Sequence, residues 1–213
     1  MERHLICGLC GNVNSYLKDG EGNSFRKCAH CALIQKDPLF FPDHSSEYRH
    51  YLTHNNDPED ARYLQFLSQA IDPVLPLLKN GMQALDYGCG PGPAIGHILK
   101  QHQISCDNYD PIFQKDGIQR QLYDVIFCTE CFEHFHHPIR DIKRILSLLK
   151  TGGYLSVMTT FYQEENQFPN WYYARDPTHV SFFHTKTMIW IQKQLNLGCI
   201  FTDDKKVIVL KKK

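Results

Sequence analysis

The sequence predicts an α/β fold in which helices cover both faces of a mostly parallel sheet. Two observations carry this prediction. Short apolar segments alternate with segments of helical periodicity from Met82 to Thr159, and such alternation is typical of a doubly wound parallel sheet. The first apolar segment ends in the glycine run Gly88-Cys89-Gly90-Pro91-Gly92, which allows a tight turn from a strand into a helix.

The elements of this domain follow from the same patterns. A helix is expected to begin at Pro58 with Asp57 as its N-cap, because its apolar residues recur on one face. Later elements are expected as a strand to Asp86, a helix to about Gln101, a strand to Tyr109, a strand over 122–128, a helix over 138–149, a strand over 153–159, a helix over 185–195 and a closing hairpin with strands over 198–201 and 207–210. The hairpin predicts an antiparallel edge strand.

Four cysteines near the N-terminus form two C-x-x-C pairs, Cys7 with Cys10 and Cys28 with Cys31. Their spacing is that of a tetrahedral zinc site, and a segment this short and polar needs such a staple to fold. We expect a structural zinc ion, because four thiolates fill its coordination sphere. His30 is an alternative ligand that we expect to face solvent.

We divide the chain into a zinc-ribbon-like module at 1–37, a connector at 38–58 and the α/β domain at 59–213. The connector is rich in Pro, His, Asp and Tyr, without a sustained period. Tyr48 and Tyr51 within it either form a lid over a ligand or pack against the next domain. The connector is therefore a candidate lid.

Composition bears on the partners and the cellular compartment that we expect for the protein. Lys plus Arg equals Asp plus Glu at 23 each, so no positive field favours nucleic acid. No apolar stretch approaches the roughly 20 residues of a membrane span, and we expect a cytoplasmic protein without a membrane partner. In a reducing compartment we expect the nine cysteines to be metal ligands or core residues rather than disulfides.

The glycine run and the strand after it predict a nucleoside ligand. Pro93 and Ala94 follow the run, so it matches the G-x-G-x-x-G dinucleotide pattern imperfectly. Asp110 ends the next strand, where a carboxylate can accept hydrogen bonds from both ribose hydroxyls. A dinucleotide-linked oxidoreductase is therefore possible but disfavoured by Pro93.

Four segments in order resemble the motifs of class I S-adenosylmethionine-dependent methyltransferases. They are LDYGCGPG (85–92), YDP (109–111), YDVIFCTECFEH (123–134) and LLKTGGYL (148–155). With its four-cysteine head, the chain is similar to bacterial methyltransferases of type 23. The resemblance implies a Rossmann-like fold. Residues 111–123 are too few for the helix and strand usually present there, so we expect a sheet one strand short.

The resemblance also implies the residues that bind S-adenosylmethionine. Asp86 is expected at the methionine moiety and Asp110 at the ribose. The full set of expected cofactor contacts is Asp86, Gly88, Gly90, Gly92, Asp110, Glu130 and Glu133. Glu130 and Glu133 belong to it because they follow the fourth strand, at the carboxyl edge where open α/β sheets bind ligands.

Three residues are candidates for catalysis on a small-molecule or metabolite acceptor. His134 could remove a proton from the acceptor or orient its loop. Asp176 and His179 lie in a run, residues 171–183, that is similar to the W-x-Y-x-x-D-x-T-H-V-x-F-F segment of the same bacterial group. A general base is therefore expected among His134, Asp176 and His179.

Three alternatives stay open at this stage. Cys128 and Cys131 form a further C-x-x-C, but strand alternation would direct them to opposite faces, so core packing is preferred. His134, His136 and His137 could bind a metal or simply precede a helix that begins at Pro138. The protein could also bind S-adenosylmethionine without turnover and dock a partner protein through its zinc head.

Overall fold

A computed structural model describes residues 6–18, 24–53 and 56–213. Parts of the expected zinc module (1–5 and 19–23) and of the connector (54–55) lie outside these ranges. The strands are β1 (Asn14–Lys18), β2 (Ser24–Cys28), β3 (Ile34–Lys36), β4 (Gln83–Tyr87), β5 (Ser105–Tyr109), β6 (Tyr123–Thr129), β7 (Leu149–Met158), β8 (Ser181–Phe182), β9 (Leu197–Thr202) and β10 (Val207–Lys212). The helices are α1 (His44–Tyr51), α2 (Ala61–Ile71), α3 (Ile95–Lys100), α4 (Pro138–Leu148) and α5 (Thr185–Gln194).

The larger sheet has six strands in the order β5-β4-β6-β7-β10-β9. The first four are parallel to one another, whereas β10 runs antiparallel to both β7 and β9. The predicted parallel sheet with a closing hairpin is confirmed: β9 is the edge strand and pairs antiparallel with β10. Between β5 and β6 the described chain forms only turns and a single bridge, Asp110 to Gln114, as expected for a sheet lacking one strand.

Helices cover both faces of this sheet because neighbouring strand residues point to opposite sides. On one face α2 packs on β6 and α3 on β5, and Ile71, Leu99, Val125 and Phe127 belong to one buried cluster. On the other face α4 packs on β7 and α5 on β9, and Ile145, Ile191, Ile126 and Leu155 belong to one buried cluster. The doubly wound α/β class is therefore confirmed. No helix within the described ranges is long and apolar enough to cross a membrane.

Helix α2 begins three residues later than predicted. Asp60, not Asp57, is its N-cap and accepts a hydrogen bond from the amide of Arg62. The Asp57 carboxylate accepts a hydrogen bond from the amide of Glu59 and forms a separate turn. Both aspartates have the same capping chemistry, so local sequence does not separate them.

Cys128 and Cys131 are buried in the core, as expected, but the prediction that they face apart is wrong. The thiol of Cys128 lies close enough to hydrogen bond to Cys131, and this bond, with burial, raises the pKa of Cys131. The chain leaves strand geometry at Glu130, whose φ is +46°. Strand alternation therefore ends before Cys131.

A second, antiparallel sheet joins the N-terminal module to the rest of the chain. Its order is β1-β2-β3-β8, and β8 comes from the aromatic segment that follows β7. Ile34 pairs with Phe182, and Gln35 pairs with Ser181. The ring of Phe182 packs against Phe25 at 5.7 Å. The N-terminal module thus shares a sheet with residues of the expected methyltransferase domain.

Candidate active site

A cavity of about 850 Å³ opens at the carboxyl ends of β4, β5 and β6. This is the edge at which open α/β sheets bind ligands. Helices α1 and α2 also contribute to its walls. Among the residues lining it are Asp86, Gly88, Asp110, Glu130, His134 and His179. Residues expected on the cofactor side and on the acceptor side therefore meet in one cavity.

The glycine turn after β4 is held by its own amides. The N–H groups of Gly88 and Cys89 donate to the Tyr109 carbonyl at 2.7 and 3.2 Å. The N–H group of Gly90 donates to Oδ2 of Asp110 at 3.1 Å. Gly88 and Gly90 have positive φ values of 85° and 64°, which L side chains rarely adopt. The turn is therefore a hydrogen-bonded wall of the cavity.

Because Gly88 and Gly92 have no side chain, other parts of the protein can pack on this turn. Local sequence patterns did not predict this packing. A Cβ on Gly88 would lie 2.6 Å from the Cys131 sulfur, and one on Gly92 would lie 2.0 Å from the main-chain oxygen of Asn56. Asn56 belongs to the connector and also lines the cavity. The connector therefore packs directly on the glycine turn.

Asp86 is a buried carboxylate in the wall of the cavity. Its side chain is almost fully buried, and its Oδ1 has no hydrogen-bond partner among the described residues. Burial, with a smaller contribution from the charge of Asp110, raises its pKa to about 7. A buried oxygen without a partner is unfavourable, so a donor group of a ligand would stabilise it.

Asp110 already fastens the loop around it. Its Oδ1 accepts hydrogen bonds from the amides of Ile112 and Phe113 at 2.8 and 3.0 Å, while Oδ2 accepts the one from Gly90. Each carboxylate oxygen has two lone-pair sites, so Oδ2 can accept a further bond from a ligand. Asp110 thus joins the ends of β4 and β5.

The carboxyl groups of Glu130 and Glu133 meet at the hydroxyl of Tyr173. This hydroxyl donates to Oε1 of Glu133 at 2.6 Å and lies 3.3 Å from Oε2 of Glu130. Burial and the charge of Glu133 raise the pKa of Glu130 to about 9. Glu130 lines the cavity, whereas Glu133 is fully buried and is not one of the described lining residues.

His134 and His179 lie side by side, with ring centroids 4.9 Å apart. Nδ1 of His134 is 3.1 Å from the Thr178 carbonyl, and Nδ1 of His179 is 2.8 Å from the Tyr173 carbonyl. A carbonyl only accepts, so each ring carries its proton on Nδ1 and leaves Nε2 as an acceptor. Burial lowers the pKa of His179.

Asp176 connects this pair to helix α1. Its Oδ2 is 3.0 Å from Nε2 of His50, and its Oδ1 accepts hydrogen bonds from both the amide and the hydroxyl of Thr178. Although burial opposes ionisation, the hydrogen bonds from Thr178 and the nearby imidazoles of His179 and His50 hold the pKa of Asp176 well below its usual range. Asp176 is therefore ionised at neutral pH.

The connector contributes residues that sequence reasoning did not assign to the site. Tyr51, one of the two tyrosines considered for a lid, places its hydroxyl 3.2 Å from Nδ1 of His134. Tyr48 stacks on Phe113 with ring centroids 5.6 Å apart. No local pattern connects His50 or Asn56 to residues far along the chain, so neither could be identified from sequence.

The four N-terminal cysteines converge as predicted. Sγ of Cys7 is 3.6 Å from that of Cys31, Sγ of Cys10 is 3.3 Å from that of Cys28, and all four sulfurs lie within 4.8 Å of one another. Each pair ends in a positive-φ residue, Gly11 or Ala32. This donor set fits a tetrahedral zinc ion, and His30 is exposed to solvent as expected.

Comparisons with known proteins agree with this geometry. The profile of a methyltransferase-domain family matches residues 49–200, and no curated protein sequence matches the chain. The plantazolicin methyltransferase BpumL in complex with a monoazolic desmethylPZN analog and SAH has a similar fold, with 16% identity, a TM-score of 0.51 and coverage of 79% of this chain and 91% of that chain. A chain from the complex between the Haloferax volcanii Trm112 methyltransferase activator and a methyltransferase is also similar, at 13% identity, a TM-score of 0.50 and coverage of 72% and 95%. The chain belongs to the methyltransferase-domain family of S-adenosylmethionine-dependent enzymes.

Proposed function

We propose that the protein transfers the methyl group of S-adenosylmethionine to a small-molecule or metabolite acceptor. One observation carries the proposal: a single cavity contains the acidic residues at the ends of β4 and β5 together with His134 and His179. Its volume of about 850 Å³ lies in the range of cofactor and small-molecule sites. The chain has no net charge, which disfavours nucleic acid as the acceptor.

The cofactor would bind at the glycine turn. The unpartnered Oδ1 of Asp86 is available to the ammonium group of the methionine moiety, and the remaining acceptor capacity of Asp110 to the ribose hydroxyls. Main-chain atoms of Gly88 and Gly90, which line the cavity, would contact the cofactor beside these carboxylates. Gly92, also expected there, packs on the main chain of Asn56 and is not one of the described lining residues. Glu130 is a further contact because it lines the cavity, while Glu133 acts through Tyr173.

The transfer itself needs alignment more than acid–base chemistry. A lone pair of the acceptor forms the new bond to the methyl carbon as the carbon–sulfur bond breaks, and the sulfur keeps that bond's electron pair. The sulfonium thereby becomes a neutral thioether, so a site that excludes water favours the step. Nε2 of His134 or His179 would take the proton of a protic acceptor, and Asp176 would orient this pair.

We also propose that Cys7, Cys10, Cys28 and Cys31 bind one structural zinc ion in a cytoplasmic protein. The sulfur cluster and its two tight turns support this proposal. A closed four-thiolate site leaves no position for a substrate. The outer surface of this head remains available to a protein partner.

Incubation with methyl-labelled S-adenosylmethionine and a small-molecule extract tests the proposed activity. We expect label in a low-mass product, and loss of that label in an Asp110→Ala variant. Calorimetry with the cofactor alone separates binding from transfer. Binding without transfer to any fraction would favour the non-catalytic docking module, whereas thermal stabilisation by NAD alone would favour the oxidoreductase.

A further inference from the structure

A second cluster of metal-ligating side chains lies beside the cavity and is separate from the group of four N-terminal cysteines. Glu133 and His134 follow β6, and His179 lies in the loop before β8. One ligand atom of each lies within 4.8 Å of the others. Local sequence suggested His136 and His137 as companions of His134, but the fold instead brings together residues from two separate segments.

Both imidazoles are oriented in the way that metal ligands are. Nδ1 of His134 is directed to the Thr178 carbonyl at 3.1 Å, with the Tyr51 hydroxyl at 3.2 Å. Nδ1 of His179 is directed to the Tyr173 carbonyl at 2.8 Å. A main-chain carbonyl that accepts from one ring nitrogen fixes the tautomer and presents the other nitrogen as a ligand.

The carboxylate of Glu133 gives an independent indication of a bound group. It is fully buried, and Oε1 accepts a hydrogen bond from the Tyr173 hydroxyl at 2.6 Å. Oε2 has no hydrogen-bond partner among the described residues. A buried carboxylate oxygen without a partner is strongly unfavourable, and a cation would satisfy it.

We propose that Glu133, His134 and His179 bind a divalent transition-metal ion. Two imidazoles and one carboxylate are ligands that zinc, iron(II), cobalt(II) and manganese(II) accept. Three protein ligands leave coordination positions open, as in catalytic rather than structural sites. His134 and His179 line the cavity, so the open positions face the space assigned to the acceptor.

The ion would define the chemistry of the acceptor. A group that can occupy an open position must offer an oxygen or nitrogen lone pair, and an acceptor hydroxyl bound there loses its proton to solvent more readily. With the ion bound, Nε2 of His134 and His179 is occupied, so this effect replaces the general-base role proposed above for either ring. This consequence rests on the proposed methyl transfer. Binding of the ion does not, and it can be measured without cofactor or acceptor.

Calorimetric titration of the zinc-loaded protein with Co²⁺ alone tests the site. We expect one further ion per chain, with visible d–d bands and no cobalt–thiolate charge-transfer band in the near ultraviolet. Glu133→Gln and His134→Gln should each weaken Co²⁺ binding at least about tenfold. His102→Ala, which changes an exposed histidine outside the cluster, should leave it unchanged.

Three results would overturn the proposal: no uptake at millimolar Co²⁺, uptake that both cluster variants retain, or a thiolate spectrum for the added ion. Melting temperature and S-adenosylmethionine affinity of each variant show whether it is folded. His134 is only partly buried, so its variant is informative even where Glu133→Gln fails to fold. Cofactor binding without Co²⁺ binding would reject the metal site and leave the proposed function standing.

Discussion

The main-chain oxygen of Asn56 packs so closely on Gly92 that a Cβ atom there would lie 2.0 Å from it. The connector and the glycine turn are therefore in direct contact at the wall of the cavity. Gly90, two residues earlier, adds to this contact, because a Cβ atom placed on it would lie 2.9 Å from the side-chain nitrogen of Asn56. The missing side chains of the glycine turn thus determine where the connector can lie.

Gly92→Ala should displace the connector, because the main chain of Asn56 cannot give way like a flexible side chain. We expect a loss of about 1–3 kcal/mol in the free energy of unfolding and weaker S-adenosylmethionine binding. Gly96→Ala, within helix α3, is the matched control. The new Cβ atom would lie 3.5 Å from the Cβ atom of Cys106, an ordinary van der Waals distance. Denaturant unfolding and calorimetry on both variants check this, and equal behaviour would contradict it.

Asp86→Asn should weaken S-adenosylmethionine binding and raise the free energy of unfolding. The pKa of Asp86 is about 7 in the folded protein against an ordinary value of 3.8. The folded state therefore binds the extra proton between these values, and the contribution of Asp86 to stability falls as pH rises from about 4 to 7. The variant should be close to the native protein at pH 4 and more stable by on the order of 2–4 kcal/mol at pH 8.

Cofactor binding should also release a proton from Asp86. An ammonium group beside its carboxylate favours the ionised form and lowers the pKa. Near pH 6 the heat of S-adenosylmethionine binding should then depend on the ionisation enthalpy of the buffer, and this dependence should vanish in Asp86→Asn. Buffer-independent heat in the native protein would place the ammonium group elsewhere.

Asp110 should matter for affinity and for folding at once. Asp110→Ala removes the acceptors for Gly90, Ile112 and Phe113 along with the proposed ribose contact. We expect S-adenosylmethionine affinity to fall several-fold to about a hundredfold and the melting temperature to fall as well. Asp110→Asn keeps one carbonyl oxygen, so it should lose less stability. Unchanged affinity in the alanine variant would refute the ribose assignment.

Removal of a zinc ligand should destabilise more than the N-terminal module. Cys7, Leu9, Cys28, Cys31 and Leu33 pack in the same buried cluster as residues of β6, α4 and α5. Cys28→Ser should therefore lower the melting temperature of the whole protein. It should also lower the zinc content below the one ion per chain expected for the native protein. Cys199→Ser changes an exposed thiol and should alter neither. A metal assay that finds no zinc in native protein would overturn this proposal.

Local patterns predicted the alternating elements, the glycine turn and the sulfur cluster, because each depends on residues close together in the chain. They failed at the start of α2, where Asp57 and Asp60 offer the same cap, and at Cys131, where Glu130 leaves the strand at a φ of +46°. Both errors concern the end of an element, where the backbone leaves or enters regular geometry.

The contacts that complete the site could not be predicted from local sequence. His50 meets Asp176, and Glu133 meets Tyr173, across long sequence separations. Such pairs depend on the tertiary fold rather than on propensity or period. The sequence could therefore nominate Asp176 and His179, but not the residues that orient them.

The pairing of β3 with β8 has a consequence for biosynthesis. Ile34 leaves the ribosome long before its partner Phe182, and chains grow from the N-terminus. Until then the outer edge of β3 exposes unpaired amides and carbonyls, which can pair with another chain. Capture of the proposed zinc ion by the nascent cysteines would order the head but leave this edge unpaired, so the edge stays open to other chains until Ser181 and Phe182 have been made.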